Sequence, residues 1–171
     1  TFKLALITTV LLLIISIPLA YWLANTRSRI KPIAETLVSM PLVLPPTVIG
    51  FYMLLAFSPS NAFGDWLDQW LGVRLVFSFE VLVLGSLIYS LPFMVHPIQA
   101  GFANLSPSLK NASYVMGKSK LTTIIRVLLP NMKPSMITGI ILAFAHTIGE
   151  FGVVLMIGGN LSGKTRVASI A

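Results

Sequence analysis

Apolar positions in this chain fall in long unbroken runs rather than in short alternating segments. Charged residues are absent from 4–26, 36–64 and 81–109, and a fourth run, 134–163, is interrupted only by Glu150. Alternation at period two would mark half-buried strands, whereas a helix needs roughly 20 apolar residues to cross the hydrocarbon layer. In lipid the backbone must satisfy its own hydrogen bonds, which a helix does within one segment. The runs therefore predict an all-α polytopic membrane bundle with four spans, near 3–24, 35–57, 80–101 and 134–157.

Composition sharpens this picture. The 171 residues are 56% hydrophobic and 10% charged, against roughly 45–50% and about 25% in a soluble domain. Too few charges are present to cover a water-soluble globule, and the apolar content excludes a disordered segment. With no cysteine there is no disulfide framework, thiolate metal site or thiol nucleophile. The 12 Lys+Arg against 5 Asp+Glu raise the possibility of nucleic-acid binding, but eight of the twelve lie in two loops. These are Arg27, Arg29 and Lys31 between the first two spans, and Lys110, Lys118, Lys120, Arg126 and Lys133 between the last two. The intervening loop, 58–79, holds Asp65, Asp68 and a single cation, Arg74. Positive loops stay cytoplasmic, so the charge marks topology and no nucleic-acid partner is expected. The first run, 21 apolar residues, exceeds a signal-peptide core of roughly 7–15 and remains a span. The chain begins at Thr1 and stops just past the fourth run, and the complete protein is expected to carry at least one further C-terminal helix.

The inside loop, 105–133, is long for a simple connection at 29 residues. Ser106-Pro107 is a helix start, a capping hydroxyl followed by a proline suited to the first helical position. A short helix from Pro107 is expected to end at Gly117, and a second to begin near Ser119 with Leu121, Ile124, Ile125 and Leu128 forming one apolar stripe. Such a hairpin either docks into a partner or lies on anionic headgroups; the pattern leaves both open.

Within that loop Asn111-Ala112-Ser113-Tyr114-Val115-Met116-Gly117, followed after nine residues by Val127-Leu128-Leu129-Pro130, resembles the "EAA" loop of ABC-transporter permeases. That pattern is Glu-Ala-Ala, three residues, Gly, nine residues, then Ile-x-Leu-Pro; Ala112, Gly117, Leu129 and Pro130 match, while Asn111, Ser113 and Val127 replace the Glu, the second Ala and the Ile. The segments 41–50 (PLVLPPTVIG) and 143–152 (AFAHTIGEFG) are similar to the molybdate branch of that family, kin to sulfate and tungstate permeases. The resemblance implies a type-I importer transmembrane domain in a bacterial or archaeal cytoplasmic membrane, working as a homodimer. Its implied partners are a cytoplasmic ATPase dimer, an extracytoplasmic molybdate-binding protein and membrane lipid. It also implies that the 105–133 loop, with Asn111, Ala112, Ser113, Gly117, Leu121, Leu129 and Pro130, contacts the ATPase. No cofactor or catalytic residue is expected in this chain.

Pro41, Pro45 and Pro46 fall within the second run, where each removes an amide donor. Pro45 and Pro46 are candidate elements of a kink or gate on the pathway, or of a kink packed between helices. Glu150 is the sole carboxylate placed in the interior of a span, and His146, four residues earlier, can share its face. A carboxylate repels an oxyanion, so a hydrogen-bonded gate or packing role is expected of Glu150, ahead of a proton relay or metal pair. Gly149 and Gly152 would admit a close neighbour. In the outer loop Phe63, Trp66, Leu67, Trp70 and Leu71 recur at helical spacing, predicting a surface helix that anchors in the interface or meets a solute-binding protein. Gly158 to Thr165 satisfies the P-loop pattern, with 153–157 as a conceivable preceding strand. A working P-loop also needs an Asp on a second buried strand, and the only Asp residues are in the Trp-rich loop; a nucleotide-binding protein is therefore the disfavoured alternative.

Overall fold

The computed structural model describes residues 1–71, 76–161 and 165–169, and among them all regular structure is helical. Helices α1 (Phe2–Asn25) and α5 (Phe79–Asn104) have 24 and 26 residues and are each apolar and long enough to cross a membrane, about 36 and 39 Å at the helical rise. On α1, Leu4, Leu12 and Leu23 are buried while Leu6 and Ile14 are exposed. Apolar residues on all sides suit a helix with protein on one face and lipid on the other. The two helices run parallel. The Lys3 ammonium lies 5.1 Å from the Phe79 ring at one end, and Tyr21 meets Phe102 edge-on at 5.3 Å at the other. Helix α9 (Lys133–Gly149) returns antiparallel to them: Ser135 faces Gly101, Gly139 faces Met94, and His146 bonds Ser90. Leu12, Tyr21, Met94, Ile98, Phe102 and Ala143 form the core of this three-helix unit.

The second and fourth predicted spans are not continuous. Helices α2 (Lys31–Val43) and α3 (Pro46–Phe57) meet at 107°. Pro41 does not cause the break; α2 runs through it and buries it. The break falls where a residue preceding proline is driven out of the α region, twice in succession. Leu44 and Pro45 both have ψ of 135°, and Pro46 opens α3, where its fixed φ suits a first turn. The fourth span, expected over 134–157, stops at Gly149; Glu150 is extended (ψ 120°), and α10 (Gly152–Gly158) resumes the helix. Helices α3 and α10 pack on each other and on the first half of α5, with Ile49, Met53, Val81, Leu82, Val153 and Ile157 in a second buried cluster. The predicted outer helix is α4 (Ala62–Leu71), with Phe63, Trp66 and Trp70 exposed. The side chains of Leu67 and Leu71, and Arg74 altogether, lie outside the described residues.

Candidate functional site

Two places combine special backbone with unusual burial: the hairpin after α5, and the meeting of the two helix breaks. In the hairpin, Ser106 accepts from the Ser108 amide at 3.4 Å to cap α6 (Pro107–Val115). The helix ends at Val115, two residues before the expected Gly117. The Met116 and Lys118 amides donate to the carbonyls of Ala112 and Ser113, each at 3.1 Å, and Gly117 reverses the chain at φ +70°. A Cβ at Gly117 would meet nothing within 4 Å, so it is the left-handed conformation that favours glycine there. Ser119 caps α7 (Lys120–Thr123) by accepting from the Thr122 amide at 3.2 Å. The arms are pinned through a buried pair: Thr123 spends its one proton on the Ser119 carbonyl (2.9 Å), so Ser113 donates to Thr123 (2.8 Å).

The expected stripe of Leu121, Ile124, Ile125 and Leu128 does not form one face. Ile124–Leu128 is a π turn before α8 (Leu129–Asn131), and the extra residue in a π turn rotates whatever follows. Leu128 is buried and Ile124 half-buried against the bundle core, while Leu121 and Ile125 are 67% and 54% exposed. One half of the stripe fastens the hairpin to the bundle. The other half joins Tyr114, Val115 and Met116 as exposed apolar surface. Asn111, Ala112 and Pro130 are also exposed, and Leu129 packs half-buried against the core.

At the breaks, Gly152 lies against the Pro46 ring, where an added Cβ would stand 2.9 Å from the proline Cβ and Cγ. On Gly50 a Cβ would come within 2.7 Å of Met156 Cβ and 3.1 Å of Val153 Cα. Missing side chains thus let α10 nest on α3. Gly149, expected to serve the same purpose, has nothing within 4 Å of its would-be Cβ. Pro45 is exposed and Pro46 half-buried. Glu150 sits in the break itself rather than within a continuous helix, 3% exposed. Neither of its carboxyl oxygens has a hydrogen-bond partner among the described residues; the Ser86 hydroxyl faces it outside bonding geometry and is also unpartnered. His146 is not its partner. The imidazole Nδ1 lies 2.9 Å from the Ser90 hydroxyl, which also contacts Thr147 at 3.1 Å, and the ring stacks on Phe93 at 4.0 Å. Among the described residues no three His, Asp or Glu side chains converge as a metal site.

A family model described as "Binding-protein-dependent transport system inner membrane component" matches residues 16–170. The chain belongs to this family. The permease is 47% identical over 171 residues to the molybdenum transport system permease protein ModB of Azotobacter vinelandii, an alignment covering 99% of this chain and 75% of that protein. It is 32% identical over 160 residues to the protein of the same name from Haemophilus influenzae (91% and 70% covered), and 32% identical over 136 residues to that of Escherichia coli K12 (80% and 59%). Membership and the apolar helices make the permease a transport component that passes through the inner membrane more than once.

The described part of the P-loop-like stretch differs from a nucleotide cradle. Residues 153–157 belong to helix α10, not to a strand, and 162–164 lie outside the described residues. The Thr165 hydroxyl donates to the Gly158 carbonyl (2.5 Å) and accepts from the Leu161 amide (2.9 Å). Sequence reasoning missed three polar clasps: Ser113 to Thr123, and between α2 and α5 Ser39 to His96 (3.1 Å) and Gln99 to Glu35 (2.7 Å). The signal for the last two was present as His96 and Gln99, polar side chains three residues apart on an otherwise apolar α5.

Proposed function

We propose that this chain is the membrane-spanning permease subunit of an ATP-driven importer that moves molybdate across the cytoplasmic membrane. It acts as a single transmembrane domain whose 105–133 loop receives force from a separate ATPase subunit. A second copy completes the pathway, an extracytoplasmic binding protein delivers the anion, and nucleotide chemistry belongs to the ATPase, with no cofactor assigned here. The molybdate assignment is supported by the names of the relatives, and the inward placement of the loop by its positive charges.

The observation that carries the coupling role is the Gly117 hairpin: it presents Tyr114, Val115, Met116 and Leu121 outward, while Ser113 and Thr123 pin its two arms together and Leu128 packs it onto the bundle core. A lever must be exposed at its tip and stiff at its root. Force applied there passes through α8 into α9, whose far end is the Glu150 break against α3. Rigid-body rocking of packed helices is the expected response, with Pro45, Pro46 and Glu150 at the gate.

The test is molybdate uptake into proteoliposomes containing the permease, its ATPase and its binding protein. A β-branched residue at positive φ costs of order 1–3 kcal/mol locally, so Gly117→Val should leave the spans inserted and cut ATP-dependent uptake at least roughly tenfold, a barrier of about 1.4 kcal/mol. Wild-type uptake by that variant would refute the lever. Competition with tungstate and sulfate tests the anion separately: uptake of sulfate in preference to molybdate would move the permease to a neighbouring branch.

A further inference from the structure

A groove of about 830 Å³ opens where the last two turns of α1 meet α6 and α7, bordered on one side by Tyr114 and Leu121 of the coupling tip. Its walls include Pro18, Tyr21, Trp22, Asn25, Lys110 and Lys120, and are mainly apolar. Both lysine ammoniums lie over the same Tyr21 ring, at 5.6 and 5.5 Å from its centre, and Lys110 also donates to the Asn25 side-chain carbonyl at 3.0 Å. No carboxylate lines the groove. The ion pair of Lys31 with Glu35 lies elsewhere. Two cations thus gather at one aromatic ring, one of them also bonded to an amide, with no carboxylate among the described residues that line the groove.

The depth of the groove selects its occupant. Tyr21 and Trp22 close the apolar run of α1 just before Arg27 and Arg29, the level at which aromatic residues mark the hydrocarbon–headgroup boundary. Trp22 is 40% exposed, on a helix whose unpacked face is turned to lipid. A free inorganic anion would use the ammoniums and leave the apolar wall wet, and an acidic protein segment would have to reach beneath the membrane surface. A molecule with an anionic head and a hydrocarbon tail fits both parts. We infer that this groove is a site for an anionic phospholipid of the cytoplasmic leaflet, its phosphate between Lys110 and Lys120 and one acyl chain along Pro18 and Trp22. Basic residues near such a surface each strengthen lipid binding about fivefold. A bound lipid would brace α1 against the root of the hairpin.

The full chain, purified in detergent, is titrated with phosphatidylglycerol or phosphatidylcholine and read by native mass spectrometry. The expected result is retention of phosphatidylglycerol over phosphatidylcholine, weakened about fivefold by Lys110→Gln or Lys120→Gln and unaltered by Lys118→Gln, an exposed cation that does not line the groove. Equal retention of the two lipids, or equal loss in all three variants, would overturn the proposal. Displacement of the lipid by millimolar inorganic phosphate would assign the site to a free anion instead. A photoreactive residue at Trp22 in vesicles containing the assembled importer gives an independent reading. Crosslinks to lipid support the site, and crosslinks to the ATPase subunit would make the groove a protein contact and end the lipid reading.

Discussion

The two helix breaks look alike in outline and arise differently. At Leu44–Pro46 the break is covalent: two consecutive residues precede prolines, both are extended, and the chain turns by 107°. At Glu150–Phe151 no proline is present, and the residues on either side form helix. That second break exists because α10 is pulled into the angle between α3 and α5, where Gly152, Gly50 and Gly85 give it room. One break is written into the local chain and the other is imposed by a neighbour. The first should survive changes in its surroundings and the second should not.

The largest expected effect comes from separating the two breaks. Gly152→Val places a branched side chain against the Pro46 ring at 2.9 Å, and overpacking a close contact costs about 1–3 kcal/mol. The variant should lose thermal stability in detergent and lose uptake. If the contact with Pro46 is the cause, Pro46→Ala should restore part of the stability, and a double-mutant cycle with no coupling would mean that the two breaks are independent. Next in size is Glu150→Leu. A buried carboxylate with no bonding partner among the described residues carries a desolvation cost, so relieving it should raise the melting temperature while molybdate uptake falls. A stable variant with full uptake would reduce Glu150 to a packing residue.

The smallest effect is expected at the other break. In Pro45→Ala the residue at 45 still precedes Pro46 and remains extended, so stability should change by less than about 1 kcal/mol. Spin labels at Leu37 and Leu55, exposed on α2 and α3, would report the angle. A continuous helix would separate their backbones by roughly 27 Å, and the bend brings them closer. Pro45→Ala should keep the short distance and the double Pro45→Ala/Pro46→Ala variant should lengthen it. A bend that persists in the double variant would show that packing sets this break too.

Legibility from sequence followed the same division. The hairpin was readable because its determinants are local: Ser106 and Ser119 as caps, Pro107 as a first residue, Gly117 as the reversal. What could not be read was which half of the Leu121–Leu128 stripe faces the bundle, because a π turn at Ile124–Leu128 shifts the register and nothing in the 3.6-residue period announces it. Glu150 stood out as a lone carboxylate in an apolar run, yet its place at a break and its lack of a bonding partner among the described residues depend on where α3 and Ser86 lie. His146 shared a helical face with Glu150 on paper, but the Ser90 hydroxyl and the Phe93 ring had already claimed it.

Chain chemistry alone determined the apolar segments, the basic loops between them, the bend at the paired prolines and the glycine reversal. Each depends on bonds or solvation within a few neighbouring residues. Tertiary structure decided the break at Glu150, the division of the hairpin between anchor and exposed surface, and the pairing of Lys110 with Lys120 over Tyr21. Those outcomes require groups separated by many residues to occupy the same space, and close packing rather than local preference selects among the ways they can do so.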